Sequence, residues 1–264
     1  MKDMKVTQWN ESYARGENAI FYPHEEVVRF LNRFIRKRID SHRFSDVIYR
    51  GDFYRSGIGI TQGDKLIEAV GGGGDNALYP IKALDFGCGI GRQSMLMSEF
   101  GIETCGIDIS EYAISQAKRL AQNANLDIDF RVYDGEHIPF KHNTFDFTIS
   151  YGVLDSLPFD LAQNLVSQIA YVSKTYFFCS LIGEDSTSGF SNIQESTFTD
   201  EIEVQESHEK GTIQSFFDYP KIQRLFKKST FEIIWGEKKS SVNLIDGSIQ
   251  SRYYIVCKKA EYEQ

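Results

Sequence analysis

The stretch ALDFGCGIGRQSM, residues 83–95, decides the fold of this chain. It begins as an apolar run, is interrupted by glycines at positions 87, 89 and 91, and continues into a segment with the pattern of a helix. A strand that stops at a glycine loop before a helix is the usual platform for a nucleotide-like cofactor. Glycines in such a loop allow the backbone to approach a ligand closely. The stretch therefore predicts an α/β fold with a cofactor site at the end of this strand.

The spacing of the glycines narrows the choice of cofactor. The pattern is GxGxG, whereas the dinucleotide fingerprint GxGxxG needs a glycine where this chain has Arg92. The phosphate-loop pattern GxxxxGK[ST] is also missing, and the run GGGG at 71–74 has no strand before it and no Lys-Ser/Thr after it. These departures argue against a nicotinamide or flavin dinucleotide and against a phosphate loop, and the GGGG run is interpreted as a connector.

From residue 81 onward the sequence alternates between strand and helix patterns, which predicts a parallel sheet with helical crossovers. The last two predicted strands, 230–237 and 251–259, are separated only by a turn region and are candidates for an antiparallel pair. Predicted strands before them are 81–86, 102–108, 127–134, 145–152 and 175–183, and predicted helices are 92–100, 110–122, 159–170 and 219–229.

Two other segments carry predictions about organisation. Apolar residues at helical spacing predict an amphipathic helix over 25–38, with the basic run RFIRKR, 33–38, at its carboxyl end, where cations suit the helix dipole. The stretch from Glu184 to Asp218 is polar and too long for a simple connection. It is interpreted as either a disordered loop or a lid, with Phe190, Ile193, Phe198, Phe216, Phe217 and Tyr219 available to exclude water.

The composition and net charge limit the kinds of molecule that the protein is expected to bind. The chain has 264 residues and a formal net charge of -8, which opposes sequence-independent binding to nucleic acid or to an anionic membrane. Its four cysteines form no CxxC pair, so the sequence indicates neither a zinc site nor a disulfide framework, and we expect a reducing environment. An apolar signal core and a spanning segment are both missing. We therefore expect a soluble, cytoplasmic protein; oligomeric state stays open.

Three carboxylates are predicted to converge on one crevice. Asp85, Asp108 and Asp134 each stand at the carboxyl end of one of three successive strands. Asp108 follows Gly87 by 21 residues, close to the interval of about 20 at which an acidic residue reaches a ribose diol. Asp134 is placed to accept a hydrogen bond from an exocyclic amine. Such a crevice suits a positively charged nucleoside and repels a pyrophosphate. S-adenosylmethionine combines an amino acid, a sulfonium, a ribose and an adenine.

At this point the sequence resembles the class I S-adenosylmethionine-dependent methyltransferases. The resemblance spans about residues 83–182 and rests on four motifs in order: LDFGCGIGR, GIDIS, VYDGEHIPF and FDFTISYGVLDSLP. WNESYARG, 9–16, with YPHEEVVRFL, 22–31, is more loosely similar to the leading segment that covers the cofactor in many small-molecule members.

This resemblance implies a Rossmann-like, mostly parallel seven-stranded sheet with helices on both faces and an antiparallel last strand. Together with the chain length and the patterns above, it predicts a single domain over 1–264, made of a helical cover (1–45), an irregular elaboration (46–80), a cofactor-binding core (81–182), an inserted segment after the fifth strand (183–220) and a C-terminal helix and strand pair (221–264).

The resemblance also implies which residues hold the cofactor. The glycines would approach the methionine part, Asp85 would hold the loop and the methionyl ammonium, and Asp108 would bind the ribose hydroxyls. Asp134 and Gly135 would face the adenine. Ser150 and Tyr151 would approach the transferred methyl group. The implied contacts are Asp85, Gly87, Cys88, Gly89, Gly91, Asp108, Ile109, Asp134, Gly135, Ser150 and Tyr151.

Methyl transfer from a sulfonium needs alignment and exclusion of water more than a fixed catalytic triad. A hydroxyl acceptor benefits from a base, whereas an amine with a free lone pair needs only positioning. Asp155 and His24 are the candidate bases, with a helix cap and helix initiation as their respective structural alternatives. The sequence predicts no metal. The acceptor segment reads SYGVLD rather than the Asn-Pro-Pro-Tyr type of nucleic-acid methylators. A small molecule is therefore the expected acceptor, with a protein side chain or a non-catalytic binding module as alternatives.

Overall fold

The computed structural model describes residues 2–17, 20–39, 44–46, 81–187, 201–204 and 212–260. The helices are α1 (Lys2–Ala14), α2 (Glu25–Phe30), α3 (Arg92–Glu99), α4 (Glu111–Asn123), α5 (Phe159–Val172) and α6 (Tyr219–Phe226). The strands are β1 (Arg36–Arg38), β2 (Phe44–Asp46), β3 (Lys82–Phe86), β4 (Glu103–Asp108), β5 (Asp129–Val132), β6 (Phe145–Tyr151), β7 (Ser173–Ile182), β8 (Glu201–Glu203), β9 (Ile213–Ser215), β10 (Phe231–Val242) and β11 (Ile249–Lys259).

A seven-stranded sheet organises the fold, in the order β10-β11-β7-β6-β3-β4-β5. The strands from β7 to β5 are mutually parallel, and β11 runs antiparallel to both of its neighbours, β7 and β10. The predicted α/β class, the seven strands and the antiparallel last strand are confirmed. Because the parallel strands share one direction, their carboxyl ends lie along the same edge of the sheet.

Helices cover both faces of the sheet. Alternate residues of β3 therefore pack into two different hydrophobic cores, one on each face. Leu84 and Phe86 pack with α5 and α6, while Ala83 packs with α2 and α3 on the opposite face. Burial on both faces explains why the central strands read as continuous apolar runs. A smaller cluster joins α4 to Phe130 of β5.

The predicted helix over 25–38 ends earlier than expected. It forms α2, continues as a π-helical turn over Leu31–Ile35, and then becomes β1, which pairs with β2. Arg36 explains the change, because its buried guanidinium donates to the carbonyl oxygens of Phe100 (3.3 Å) and Gly101 (2.9 Å) just after α3. The basic run therefore supplies a cation to the carboxyl end of α3 rather than to that of its own helix.

The segment from Glu184 to Asp218 is described in part. β8 and β9 form an antiparallel hairpin, and the chain then returns alongside β7, where Phe217 N donates to Ile182 O (2.9 Å). Phe216 and Phe217 are buried in the protein rather than facing the site, and Tyr219 begins α6 as an exposed residue. Phe190, Ile193 and Phe198 lie outside the described residues, as do 47–80 of the predicted elaboration.

In the part of the chain that the structure describes, the helices are all too short or too polar to cross a bilayer.

Candidate functional site

A cavity of about 500 Å³ lies at the carboxyl ends of β3, β4 and β6. This volume falls in the range of about 300–1,000 Å³ found for small-molecule sites. α1 and the segment leading into α2 form the wall opposite the strand ends. The residues that line the cavity include Trp9, Tyr13, His24, Asp85, Gly87, Cys88, Gly89, Arg92, Asp108, Ile109, Asp134, Gly135, Tyr151, Val153, Asp155, Gln214 and Arg252.

Gly87 and Gly89 form the floor of the cavity, and both have positive φ angles, 71° and 55°. A Cβ at Gly87 would lie 2.3 Å from Val153 Cγ2, and one at Gly89 would lie 2.5 Å from Tyr13 Oη. The backbone N–H groups of Gly87 and Cys88 donate to Ile107 O at 2.8 and 3.0 Å, which fixes the loop against β4. Side chains at these glycines would occupy space that the loop shares with the cavity.

Two members of the predicted set lie apart from this cavity. Gly91 makes room for the core instead, since a Cβ there would lie 2.6 Å from Phe130 Cζ and 3.1 Å from Ala117 Cβ. Ser150 is fully buried within β6, and its Oγ has no hydrogen-bond partner among the described residues. The structure therefore places neither residue in the lining of this cavity, and their contact with a ligand stays a prediction.

Asp85 is the second-last residue of β3, just before the glycine loop, and is only 2% exposed. Its Oδ2 accepts a hydrogen bond from Ser94 Oγ at 2.6 Å, which ties the strand to α3. Burial raises the pKa of Asp85 to about 7, against the opposing effects of the Ser94 hydrogen bond and of Arg92. A cation placed beside this carboxyl group would favour its ionised form.

Asp108 ends β4 and connects two loops at the cavity. Its Oδ2 accepts from Gly89 N and its Oδ1 from Ser110 N, both at 2.9 Å. Burial raises the pKa of Asp108, while these backbone hydrogen bonds oppose the rise. A carboxylate has about four lone-pair positions, so two bonds to the protein leave acceptor capacity for the hydroxyls of a ligand.

Asp134 follows β5 at the rim of the cavity, and its side chain is 45% exposed. Its Oδ1 accepts from the backbone N–H groups of Glu136 (2.8 Å) and His137 (2.7 Å), so it organises a turn. Gly135, within that turn, has a φ of 83°, and a Cβ there would lie 3.3 Å from Ile109 Cγ2. Asp134 therefore combines a turn-forming role with a position on the cavity wall.

His24 and Tyr151 form an aromatic pair on the other side of the cavity. Their rings stack with centroids 3.6 Å apart and planes inclined by 12°. His24 Nε2 is buried and has no hydrogen-bond partner among the described residues. Burial, assisted by the positive charges of Arg92 and Arg252, lowers the pKa of His24 to about 4. The imidazole is thus neutral at physiological pH and offers a ring-nitrogen lone pair.

Asp155 lines the same side but is engaged by the protein. It lies in a short 3₁₀ turn, is 1% exposed, and its Oδ2 accepts from Arg252 Nη1 (2.7 Å) and Ile182 N (3.0 Å). Burial raises its pKa, and the charge of Arg252 opposes the rise. The structure therefore gives Asp155 a buried ion pair across β6, β7 and β11 rather than the alternative role of helix cap.

Cys88 is a packed thiol in the loop. It is buried, and burial raises its pKa well above the ordinary range, with the nearby Asp85 and Asp108 acting in the same direction. A cysteine without substantial thiolate character is a poor nucleophile.

The N-terminal segment and β11 supply cavity residues that the sequence placed only loosely or not at all. Trp9 and Tyr13 come from α1, whose position is fixed by Asn10 Oδ1, which accepts from Ser110 Oγ (2.6 Å) and Tyr112 N (3.2 Å) at the start of α4. Arg252 comes from β11, 97 residues after its partner Asp155. The loose resemblance of the N-terminal segment was a usable signal for α1, whereas the position of Arg252 depends on sheet order.

The raised pKa of Asp85 predicts how the affinity for a ligand changes with pH. A ligand ammonium near Asp85 requires the ionised carboxyl group, so binding releases a proton if the pKa of Asp85 is about 7 in the free protein. The affinity for S-adenosylhomocysteine should then rise about fivefold from pH 6 to pH 7. Calorimetric titrations at both pH values test this, with Asp85→Asn as the comparison. An equally steep rise in Asp85→Asn would show that another group is responsible.

A Rossmann-like sheet with one antiparallel strand, a glycine loop and strand-end carboxylates at one cavity are together the fold of the class I S-adenosylmethionine-dependent methyltransferases, and the described residues of this chain have that fold. Residues 84–175 match the family model described as a methyltransferase domain. The chain is similar in structure to an S-adenosylmethionine-dependent methyltransferase from Methanosarcina mazei, with a TM-score of 0.58, 20% identity and coverage of 69% of this chain and 93% of that one.

Two curated relatives show how far the sequence similarity extends. Sterol 24-C-methyltransferase of Schizosaccharomyces pombe is 36% identical over 69 residues, which are 25% of this chain and 18% of that protein. A ubiquinone biosynthesis O-methyltransferase of Ruegeria sp. is 28% identical over 108 residues, 41% of this chain and 44% of that one. The chain thus spans less than half the length of these relatives.

Proposed function

We propose that the protein catalyses transfer of a methyl group from S-adenosylmethionine to an oxygen or nitrogen atom of a small molecule. The observation that carries this proposal is that one continuous cavity joins the carboxylates and the glycine loop to the His24–Tyr151 pair. One relative is a ubiquinone biosynthesis O-methyltransferase and another is a sterol C-methyltransferase. These names support a small molecule as the acceptor, but they do not favour one type of acceptor atom.

The residues on the carboxylate side fit the cofactor. Asp108 retains acceptor capacity for ribose hydroxyls, and Asp85 is a buried carboxyl group that a methionyl ammonium would ionise. Gly87 and Gly89 keep side chains out of the floor of the cavity. When bound, the cofactor supplies a methyl group already activated by a sulfonium.

The protein's own contribution is alignment and exclusion of water. α1 places Trp9 and Tyr13 over the glycine loop, which separates this part of the cavity from solvent. Tyr151, at the end of β6, and His24 form a flat aromatic wall on the acceptor side. Holding the acceptor atom in line with the methyl group is the largest contribution available to such a site.

His24 is the proposed proton acceptor. Its buried Nε2 has no partner in the described chain, and its low pKa keeps the ring neutral. As the methyl group transfers to a hydroxyl, the acceptor oxygen gains positive charge and its proton becomes strongly acidic, so a neutral imidazole with a pKa of about 4 can still accept that proton. Asp155 also has a buried oxygen, Oδ1, without a partner among the described residues, but it is the weaker candidate because its Oδ2 is held by Arg252 and Ile182.

The direct test uses S-adenosylmethionine labelled in its methyl group and a panel of small phenols, alcohols, amines and carboxylates. We expect labelled product together with S-adenosylhomocysteine from at least one class. Labelling of added proteins alone would instead favour the side-chain alternative. Tight binding of S-adenosylhomocysteine with no transfer to any acceptor would favour a non-catalytic binding module.

Replacing His24 should separate proton transfer from cofactor binding. For a hydroxyl acceptor, His24→Gln should lower kcat about 100-fold or more, the usual range for loss of a general base, with S-adenosylhomocysteine affinity unchanged. The matched control is His142→Gln, a histidine beside Tyr171 and away from the cavity. A small effect with an amine acceptor would indicate positioning alone. Unchanged kcat with a hydroxyl acceptor would remove His24 from proton transfer.

The inserted segment after β7, Glu184 to Asp218, is proposed to form the acceptor-side wall together with the N-terminal segment from Trp9 to Phe30. Gln214 of β9 lines the cavity, which supports this arrangement for the described part of the segment. We expect S-adenosylhomocysteine with an acceptor to slow proteolysis within 184–218, because lids close over filled sites. Timed digestion followed by mass spectrometry measures the cleavage rate. Equal cleavage with and without ligands, and full activity after deletion of 188–200, would refute a lid.

A further inference from the structure

The two sides of the cavity carry opposite charges. The side proposed for the cofactor has carboxyl groups at the strand ends, whereas the side around His24 and Tyr151 has two guanidinium groups, those of Arg92 and Arg252. Both arginines act electrostatically on His24 and on Tyr151, so their charges converge on the same aromatic pair.

The charge of Arg252 is compensated within the protein. Its Nη1 donates to Asp155 Oδ2 (2.7 Å) and to Ser180 Oγ (3.2 Å), and its guanidinium lies 5.6 Å from the centre of the Tyr151 ring. The pair with the buried Asp155 fixes the arginine in place. Arg252 therefore adds a positioned donor group to the cavity wall without adding net charge.

The charge of Arg92 has no such compensation. In the described residues no carboxylate forms an ion pair with it, and its Nη1 is buried without a hydrogen-bond partner. Asp85 is the nearby acidic group that acts on it, and that carboxyl group is already bonded to Ser94. A partly buried guanidinium without a partner is costly unless a ligand supplies an acceptor.

We propose that the methyl acceptor carries an oxyanionic group, such as a carboxylate or phosphate, which binds to the uncompensated charge of Arg92, with the ion-paired Arg252 on the same cavity wall. This inference rests on the proposed function. A guanidinium presents paired donors in a plane, the geometry that matches a carboxylate or phosphate. Because the charges of both arginines act on His24 and Tyr151 and all four residues line one cavity, an anion bound to Arg92 leaves the rest of the acceptor near the proposed proton acceptor.

The amino-acid carboxylate of the cofactor has the same chemistry and is the competing source. The two sources predict different ligand preferences for Arg92. If the guanidinium serves the cofactor, it distinguishes S-adenosylhomocysteine from 5′-methylthioadenosine, which lacks the amino acid. If it serves the acceptor, it distinguishes small anions from their neutral counterparts after the cofactor product is bound.

The experiment titrates benzoate, benzamide and inorganic phosphate into the protein saturated with S-adenosylhomocysteine. We expect benzoate or phosphate to bind about tenfold or more tightly than benzamide, because a charged hydrogen bond favours the anion by that margin. Arg92→Gln should abolish the preference, and Arg92→Lys should retain part of it because the charge remains. Arg119→Gln, an exposed arginine on α4 bonded to Gln116, is the matched control and should retain the preference.

Two results would overturn the assignment. One is equal binding of the anions and benzamide by the wild-type complex, measured with thermal melting to establish that each variant is folded. The other is a loss of S-adenosylhomocysteine affinity in Arg92→Gln without a loss for 5′-methylthioadenosine, which would assign the arginine to the cofactor carboxylate. Failure of the wild-type protein to bind S-adenosylhomocysteine at all would instead contradict the proposed function itself.

Discussion

Gly89→Val should abolish measurable binding of S-adenosylhomocysteine while the sheet stays folded. Gly89 has a φ of 55°, and a Cβ there would lie 2.5 Å from the hydroxyl of Tyr13. Tyr13 can move, but a branched side chain then fills the space between the loop and α1 that a ligand needs. The left-handed backbone adds a cost of about 1–2 kcal/mol for a residue with a Cβ. Isothermal titration calorimetry should detect a loss of more than about 100-fold, equivalent to about 2.7 kcal/mol.

The control for this variant separates backbone strain from loss of the site. Gly247 has a similar φ of 72°, lies in the turn between β10 and β11, and has open space around its missing Cβ. Gly247→Val therefore imposes a comparable left-handed conformation far from the cavity. We expect it to lower the melting temperature slightly and to leave binding unchanged. Normal binding by Gly89→Val would mean that the loop does not contact the ligand.

Asp108→Ala should weaken S-adenosylhomocysteine binding by about 1.5–3 kcal/mol, the range for hydrogen bonds to a charged group. The substitution removes the proposed ribose contacts, and it also leaves the N–H groups of Gly89 and Ser110 without their present acceptor. Part of the loss is therefore expected in the free energy of unfolding. Calorimetry of binding and thermal melting together divide the two effects, and Asp108→Asn, which keeps one acceptor oxygen, should show a smaller loss of stability.

Asp146 provides the matched comparison for Asp108. Its carboxylate accepts from Lys82 N (2.8 Å) and Lys174 Nζ (2.9 Å), so it also joins two segments, but it does so at the start of β6, away from the cavity. Asp146→Ala should reduce stability and leave affinity unchanged. Affinities that are equal in the wild-type protein and in a folded Asp108→Ala variant would exclude Asp108 from the ligand site.

The parts of the fold that the sequence predicted are those with local signals. The strand, glycine loop and helix around residues 83–95 follow one another directly, and the carboxylates Asp85, Asp108 and Asp134 each mark a strand end. Parallel strands then bring these ends to one edge without any further information. For this reason the class of fold and the position of the cavity were accessible from the sequence alone.

What the sequence did not reveal depends on contacts between distant segments. Arg36 binds carbonyl groups more than sixty residues away, so nothing in its neighbourhood indicates why the helix before it stops. The three loop glycines share positive φ angles, but only packing shows that Gly91 faces Phe130 and Ala117. Arg252 reaches the cavity because β11 lies between β7 and β10, an order that strand patterns do not specify.

The insertion of β11 between β7 and β10 makes the acceptor side of the cavity dependent on the cooperativity of the whole sheet. β11 follows every other described strand in the chain, yet it pairs with the centrally placed β7 over Arg252–Lys258. Local detachment of the β10–β11 hairpin would uncover an unpaired strand edge and leave Asp155 as a buried carboxyl group without its cation. Local unfolding of the β10–β11 hairpin is therefore unfavourable for two reasons, the unpaired strand edge and the unpaired buried carboxyl group. The part of the wall built on β11 is consequently as stable as the sheet, whereas the part built on α1 is held at its polar contacts with the start of α4.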